Sequence, residues 1–271
     1  MRLDEWIRNA TDRLERAGVP DSRLDAQMLA THALNRDRSW VLAHPESEIP
    51  EAIEDLLTRR EKREPLAYIL GWREFYGRRF SVEPGVLVPR QETETLIDSA
   101  LEGLGGKVLD IGTGTGCIAT TIKLQRPNWM VAACDISPIA VRLARKNAEA
   151  LGATIHVTRS DLFEAFGDTK FGIIVSNPPY ICAGVVLQAE VGLYEPAEAL
   201  FAGADGLAIY RRLAVEAKAN LMPWGRLILE IGDGMEDLVT PVFVELGWSL
   251  TETKPDLAGM PRALTFMLEQ N

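Results

Sequence analysis

The chain has 271 residues, 46% hydrophobic and 25% charged, with a net charge of −10, the makeup of a globular protein of two domains or of one domain with a sizeable extension. That acidic balance argues against a nucleic-acid binder, which shows a basic domain or stripe. Three cysteines without a C-x-x-C pair, three histidines without ligand spacing, a charged start and no long apolar run argue against a disulfide framework, a metal site, secretion and a membrane span, so a cytoplasmic monomer is expected.

From the N-terminus, Leu3, Ile7, Ala10, Leu14 and Ala17 recur at helical spacing, and Gly18 follows as a C-cap. Asp21 or Ser22 can cap a second helix with Leu24, Met28, Leu29 and Ala33 on its apolar face. Asp37 opens a short third helix that stops before Pro45. Pro50 starts a fourth over residues 51–64, with Ile53, Leu56 and Leu57 turned inward. The basic tail of that helix, Arg59-Arg60-Glu61-Lys62-Arg63, reads as a solvated face. Residues 1–70 thus predict a small helical bundle without a catalytic constellation.

The period then changes. Glu74-Phe75-Tyr76 and Arg79-Phe80-Ser81-Val82, around Gly77-Arg78, predict a hairpin. With Pro84 and Pro89 behind it, the stretch 71–90 reads as a linker to a domain over 91–271. Arg90 and Glu92 precede a helix over 95–101, ended by the glycines at 103, 105 and 106. They read either as a helix-start charge pair or as substrate contacts.

From Lys107 on, apolar strands at 108–111, 129–134, 154–157, 171–175 and 227–231 alternate with helices at 115–125, 137–150, 205–221 and 235–246. This is the order of a parallel sheet covered by helices on both faces. Runs at 248–253 and 264–268, with no helix between them, predict an antiparallel edge. The expected fold class is α/β, a Rossmann-like, mostly parallel sheet preceded by the helical bundle and the hairpin.

The first of these strands ends in Asp110 and runs into Gly112-Thr113-Gly114-Thr115-Gly116-Cys117. Glycines let the backbone turn sharply and a ligand come close. Position 117 is Cys, so this is not the dinucleotide G-x-G-x-x-G, and no Gly-Lys-Ser/Thr follows to make a P-loop. An acid before the glycines would repel a pyrophosphate and favours a ligand with a positive group. Asp135, at the end of the second strand, is placed to take two ribose hydroxyls, or else to cap the next helix. Asp161 can accept from an adenine amino group, with Leu162 as an apolar wall. Together these residues suit S-adenosylmethionine, with S-adenosylhomocysteine as product. A nicotinamide dehydrogenase fits less well, lacking the third glycine and an evident acid–base residue.

The stretch Ser176-Asn177-Pro178-Pro179-Tyr180 closes the strand at 171–175. Neither proline can donate to a ladder, and Asn177, before a proline, is pushed out of the α region. A polar amide is thereby held at the carboxyl end of a central strand, where open α/β sheets bind ligands. The Asn177 oxygen and the Pro178 carbonyl are acceptors suited to the two hydrogens of a planar NH₂, with Tyr180 able to pack against it. Such a site would serve an amide or an adenine amino group alike; a binding module that has kept the fold is the non-catalytic alternative.

The chain resembles the HemK/PrmC protein-(glutamine-N5) methyltransferases. The residues that carry the resemblance include Gly71-Trp72-Arg73-Glu74-Phe75-Tyr76-Gly77, Val88-Pro89-Arg90 with Glu92-Thr93-Glu94, residues 110–119, Asp135-Ile136-Ser137-Pro138, Ser160-Asp161-Leu162-Phe163, residues 176–181, Tyr194-Glu195-Pro196 and Glu230-Ile231-Gly232. Asn-Pro-Pro-Tyr alone is shared with DNA adenine methyltransferases, whereas the whole set is specific. Gln91 stands where the family has proline, Met235 where it has glutamine, and Met260-Pro261-Arg262 where it has Arg-Asp-Arg. The resemblance implies a class I methyltransferase domain behind a helical substrate-recognition domain. It implies methylation of the glutamine in the Gly-Gly-Gln motif of peptide-chain release factors, with no sequence-specific contact to nucleic acid. A sister group acts on a ribosomal protein glutamine with nearly the same site pattern.

Overall fold

The computed structural model describes residues 1–102 and 105–268; Gly103, one of the glycines expected to end the helix over 95–101, lies outside them. In chain order the elements are helices α1 (Leu3–Arg16), α2 (Ser22–Leu34), α3 (Arg38–Ala43), α4 (Ile53–Glu61) and α5 (Leu66–Leu70), then hairpin strands β1 (Trp72–Phe75) and β2 (Arg78–Ser81). There follow α6 (Glu94–Leu101), β3 (Lys107–Ile111), α7 (Cys117–Gln125), β4 (Met130–Asp135), α8 (Pro138–Ala150), β5 (His156–Arg159) and β6 (Phe171–Ser176). The chain closes with α9 (Ala189–Gly192), α10 (Ala208–Asn220), β7 (Leu221–Glu230), α11 (Glu236–Val244), β8 (Trp248–Pro255) and β9 (Pro261–Leu268). No helix among the described residues is long and apolar enough to cross a membrane.

One compact unit comprises Met1–Trp72 and the distant segment Val186–Tyr194. Its core joins Leu3, Trp6 and Leu14 of α1 to Leu29 of α2 and Ile53 and Leu57 of α4. The Trp6 indole finds its acceptor in Glu54, 2.8 Å away. Of the residues expected on the apolar face of α2, Leu29 is buried and Met28 and Ala33 pack against the core, but Leu24 is 41% exposed, and Ala26 and Ala30 complete the face. The Arg59–Arg63 stretch also departs from the expectation of a solvated face. The Arg60 side chain is only 6% exposed; its Nε donates to Asp25 Oδ2 at 2.7 Å and its Nη2 to Glu190 Oε1 at 3.0 Å. Arg63 holds both oxygens of the same glutamate, at 2.7 and 2.5 Å. The Tyr194 hydroxyl donates to the Lys62 carbonyl at 2.6 Å. Arg60 and Arg63 have partners from far along the chain, which a local charge pattern does not reveal, whereas Arg59 pairs with nearby Glu64 and Lys62 is exposed as expected.

The second unit comprises Arg73–Val185 and Glu195–Asn271. The packing therefore groups most of the hairpin with the sheet and assigns residues 186–194 to the helical unit, whereas the sequence suggested a separate linker over 71–90 and an unbroken domain from 91. The sheet has seven strands in the order β5-β4-β3-β6-β7-β9-β8. Strands β3 to β7 run parallel, and β9 and β8 complete the antiparallel edge. Every residue of β6 is buried, as a parallel strand covered on both faces requires. β7 starts at Leu221, earlier than the expected 227, directly where α10 stops. The chain winds outward from β3 through β4 to β5 and then returns to the other side of β3 as β6. That reversal opens a crevice at the carboxyl ends of β3 and β6, the place where doubly wound sheets bind ligands.

Candidate active site

β3 and β6 end level with each other, Asp110 beside Val175 and Ile111 beside Ser176. The Ser176 hydroxyl donates across the gap to the Ile111 carbonyl at 2.8 Å. The glycine loop after β3 is held from beneath by Asp110, which is fully buried. Its Oδ2 accepts from the Thr113 hydroxyl at 2.5 Å and from the Ala119 N–H at 3.1 Å, while Oδ1 has no partner. Burial pushes the carboxyl up to about 7. Gly112 has φ +69°, a β-carbon there would meet nothing within 4 Å, and the residue is exposed; the loop turns its bare backbone outward at this point. Gly116 serves packing instead, since a β-carbon would lie 2.9 Å from Ala144 of α8. Asn147, a residue that sequence reasoning passed over, donates to the Thr115 and Ser81 carbonyls at 2.8 and 3.0 Å and ties the loop to the hairpin.

Asp135 ends β4 and faces the same loop. Its Oδ2 accepts from Gly114 N–H and its Oδ1 from Ser137 N–H, both at 2.9 Å. Ser137, not Asp135, caps α8, by accepting from Ala140 N–H at 3.3 Å. An ionised carboxylate offers about four lone pairs, so each oxygen keeps one for a further donor. Burial raises the Asp135 carboxyl from its ordinary value. Ile136 beside it is 58% exposed. Asp161 is taken by Arg212 of α10, whose Nη1 donates to Oδ1 at 2.8 Å. Leu162 is buried with φ +43°. Cys117 and Cys134 lie close to the loop, but burial pushes both thiols up to about 12, so neither offers a thiolate.

Past β6, Asn177 is half-buried, and its Nδ2 donates to the Thr93 hydroxyl oxygen at 3.2 Å. That leaves Oδ1 as the free end of the amide. Tyr180 is braced from two sides. A β-carbon on Gly206 would lie 2.4 Å from its carbonyl, and one on Gly232 2.9 Å from its ring. The Ile181 N–H donates to the Leu200 carbonyl at 2.9 Å and fixes the chain's exit. Arg90 does not pair with Glu92. It donates to buried Glu195 at 2.7 Å, and Glu92 is exposed. Glu195 and Glu230 are further acids that sequence reasoning quoted without a role. Each is buried with an unpartnered Oε2. Their only sequence signal was a carboxylate beside a turn, Glu195 before Pro196 and Glu230 before Ile231-Gly232.

Residues 5–71 match the family model described as PrmC N-terminal domain, and residues 90–198 match that of the methyltransferase small domain. The chain is 39% identical over 275 residues to the release factor glutamine methyltransferase of Koribacter versatilis, covering 97% of this chain and 98% of that one. It is 41% identical to the protein of the same description from Cereibacter sphaeroides, covering 99% of both. Among solved structures, a methyltransferase from Pyrococcus furiosus covers 70% of this chain and 89% of its own, with a TM-score of 0.55 at 21% identity, a likeness of fold alone.

Proposed function

The chain belongs to the release factor glutamine methyltransferases, and on that premise we propose that it transfers a methyl group from S-adenosylmethionine to the side-chain amide nitrogen (N5) of the glutamine in the Gly-Gly-Gln motif of peptide-chain release factors, in the cytoplasm. The observation that carries this reading is the set of the Asn177 amide. Its NH₂ is spent on Thr93, so its oxygen is available at the carboxyl end of the central strand, next to the glycine loop.

The residues present suit the methyl donor. The outward backbone of Gly112 allows close approach. The spare lone pairs of Asp135 suit two ribose hydroxyls, and Ile136 and Leu162 supply apolar surface for an adenine, with the remaining acceptor capacity of Asp161 for its amino group. Asp110 acts through the loop it braces, with Thr113, Gly114, Thr115 and Gly116 as the cradle. When bound, S-adenosylmethionine supplies an electrophilic methyl group on a sulfonium.

An amide nitrogen is a poor nucleophile because its lone pair is delocalised into the carbonyl. Asn177 Oδ1 and the Pro178 carbonyl accept its two hydrogens and turn the lone pair outward. The same acceptors stabilise the positive charge that develops on nitrogen in the transition state, and one N–H proton then leaves to solvent to give the neutral N-methyl amide, the C–S electron pair having stayed with sulfur as S-adenosylhomocysteine. Pro178 and Pro179 stiffen the acceptors, and Tyr180 covers the flat face of the amide. Positioning is then most of the catalysis. Arg90 and Glu92 border the site as substrate contacts, Arg90 fixed by Glu195.

A glutamine on a loop offers few atoms for choosing one protein among many. We therefore assign a second contact with the release factor to the helical unit. The test is incubation of the enzyme with purified release factor and methyl-labelled donor, with the modified residue located by mass spectrometry. Label on the Gly-Gly-Gln glutamine, and a far lower kcat/KM on a short Gly-Gly-Gln peptide, is the expected result. Label on a ribosomal protein alone would overturn the substrate assignment, and equal kcat/KM on peptide and factor would overturn the docking role.

A further inference from the structure

The glycine loop has little stiffness of its own. Gly112, Gly114 and Gly116 sit at φ +69°, +55° and +79°, in the region that glycine enters and leaves most freely. The loop's shape therefore depends on what it is tied to, and one tie comes from outside it. Asn147, in the last turns of α8, is 1% exposed. Its Nδ2 donates to the Thr115 carbonyl at 2.8 Å and to the Ser81 carbonyl of β2 at 3.0 Å, and its Oδ1 accepts from the Ser81 N–H at 2.8 Å. To β2 the amide presents the donor and the acceptor that a residue of a neighbouring strand would. The pattern leaves no choice of ends, since a swapped amide would set its oxygen against two carbonyls. Ala144, one turn earlier on the same face of α8, is the residue against which Gly116 packs. The Thr115–Gly116 peptide is thus held from both sides, its carbonyl by Asn147 and its N–H by the Thr113 carbonyl at 2.8 Å.

We propose that Asn147 is a positioning residue for the methyl donor: by fixing the direction of the Thr115–Gly116 peptide against β2, it sets the shape in which the glycine loop receives S-adenosylmethionine. A peptide flanked by glycine can turn over at small cost. Asn147 removes that freedom before the donor arrives, so binding does not have to order the loop. The hairpin is then part of the donor site through a single side chain. Packing alone would not call for an amide here, because a buried polar group is costly unless its hydrogen bonds are made. The inference rests on the reading of this loop as the donor's cradle.

The experiment is calorimetric titration of S-adenosylhomocysteine into Asn147→Ala. Asn147→Asp is the second variant; it keeps the shape and an acceptor for the Ser81 N–H but has no NH₂ for Thr115. We expect the dissociation constant to rise about tenfold, the order of one hydrogen bond. The KM for S-adenosylmethionine should rise with it, while kcat at saturating donor stays within about twofold and the KM for the release factor does not move. Arg145→Met is the control for a loosened helix. Arg145 also lies on α8 and donates to the Val157 carbonyl of β5 at 2.7 Å, so its loss should lower thermal stability and leave the affinity as it is. Unchanged affinity in a folded Asn147→Ala or Asn147→Asp enzyme would overturn the inference, as would an equal loss of affinity from Arg145→Met. Failure of both Asn147 variants to fold would overturn it too, because the residue would then hold the fold and not the loop. A parent enzyme that does not bind S-adenosylhomocysteine would overturn the cradle reading itself.

Discussion

In the helical unit, buried Asp25 and half-buried Glu190 lie against the guanidinium groups of Arg60 and Arg63. In the sheet unit, Asp110 and Glu230 are buried more deeply with no cation hydrogen-bonded to either, Asp110 against the Thr113 hydroxyl and the Ala119 N–H, each with one oxygen unpartnered. The consequences for charge differ: at Asp25, bonded to Arg60 alone, burial still wins and raises the carboxyl from its ordinary value. Burial acts to raise Glu190, but hydrogen bonds from Arg63 and Arg60 outweigh it and hold it below its ordinary value. At Asp110 and Glu230 burial wins, and both are pushed up to about 7. A paired buried acid organises the fold around it. An acid without a cation directly bonded to it is a standing cost, and at Asp110 that cost goes with holding the glycine loop in place.

Substitutions on the two sides should separate these roles. The largest effect is expected from Arg60→Met, which strands the Asp25 carboxylate; removing one member of a buried ion pair costs about 3–5 kcal/mol. Hydrogen exchange in α1 and α4 would report it, and a cost below about 1 kcal/mol would break the contrast on the helical side. On the sheet side the cost should fall on activity. Asn177→Ala should lower kcat at least about a hundredfold, as the loss of a transition-state hydrogen bond worth about 2.7–4 kcal/mol. Its affinity for S-adenosylhomocysteine should hardly change, and equal losses of rate and affinity would make Asn177 a cofactor residue instead.

Asp135→Ala should raise the dissociation constant of S-adenosylhomocysteine by at least about tenfold, from charge-assisted bonds of about 1.5–3 kcal/mol. Titration calorimetry reads this directly, and an unchanged constant would leave Asp135 with only the Gly114 and Ser137 N–H groups to hold. A further effect concerns pH. Glu230 has a folded value of about 7 against an ordinary 4.5. Its contribution to stability is whole below the ordinary value and is lost as pH rises toward 7, because the unfolded chain ionises first. Glu190 is shifted the other way, so its contribution is whole above its ordinary value and is lost as pH falls through the folded one. Exchange protection in β7 should therefore weaken from pH 4.5 to 7, and Glu230→Gln should remove one group's share, up to about 1.4 kcal/mol per pH unit. A β7 profile unaltered by the substitution would show that Glu230 is not the titrating group.

Much of the sheet could be read from the sequence because each strand is a short, local apolar run bounded by glycine, proline or a helix start. The positions of Asp135 and Asn177 at strand ends followed for the same reason, whereas the bond from Gly114 N–H to Asp135 did not. The Arg60–Asp25–Glu190 cluster could not be read that way, since its members come from three separate stretches and the tail of α4 looks the same whether its partners are carboxylates or water. Glu230 was quoted without a role for a related reason: nothing local in the run 227–231 shows that its one carboxylate is only 2% exposed.

The return of residues 186–194 to the helical unit also limits how this protein can be recombined with its relatives. The backbone crosses between the units after Trp72, after Val185 and after Tyr194. A cassette made of residues 1–72 would carry Arg60 and Arg63 into a foreign host without Glu190, and would leave the donor's loop with an acid facing nothing. A working exchange has to move both stretches together, so the piece that can be inherited as a module is discontinuous in the gene.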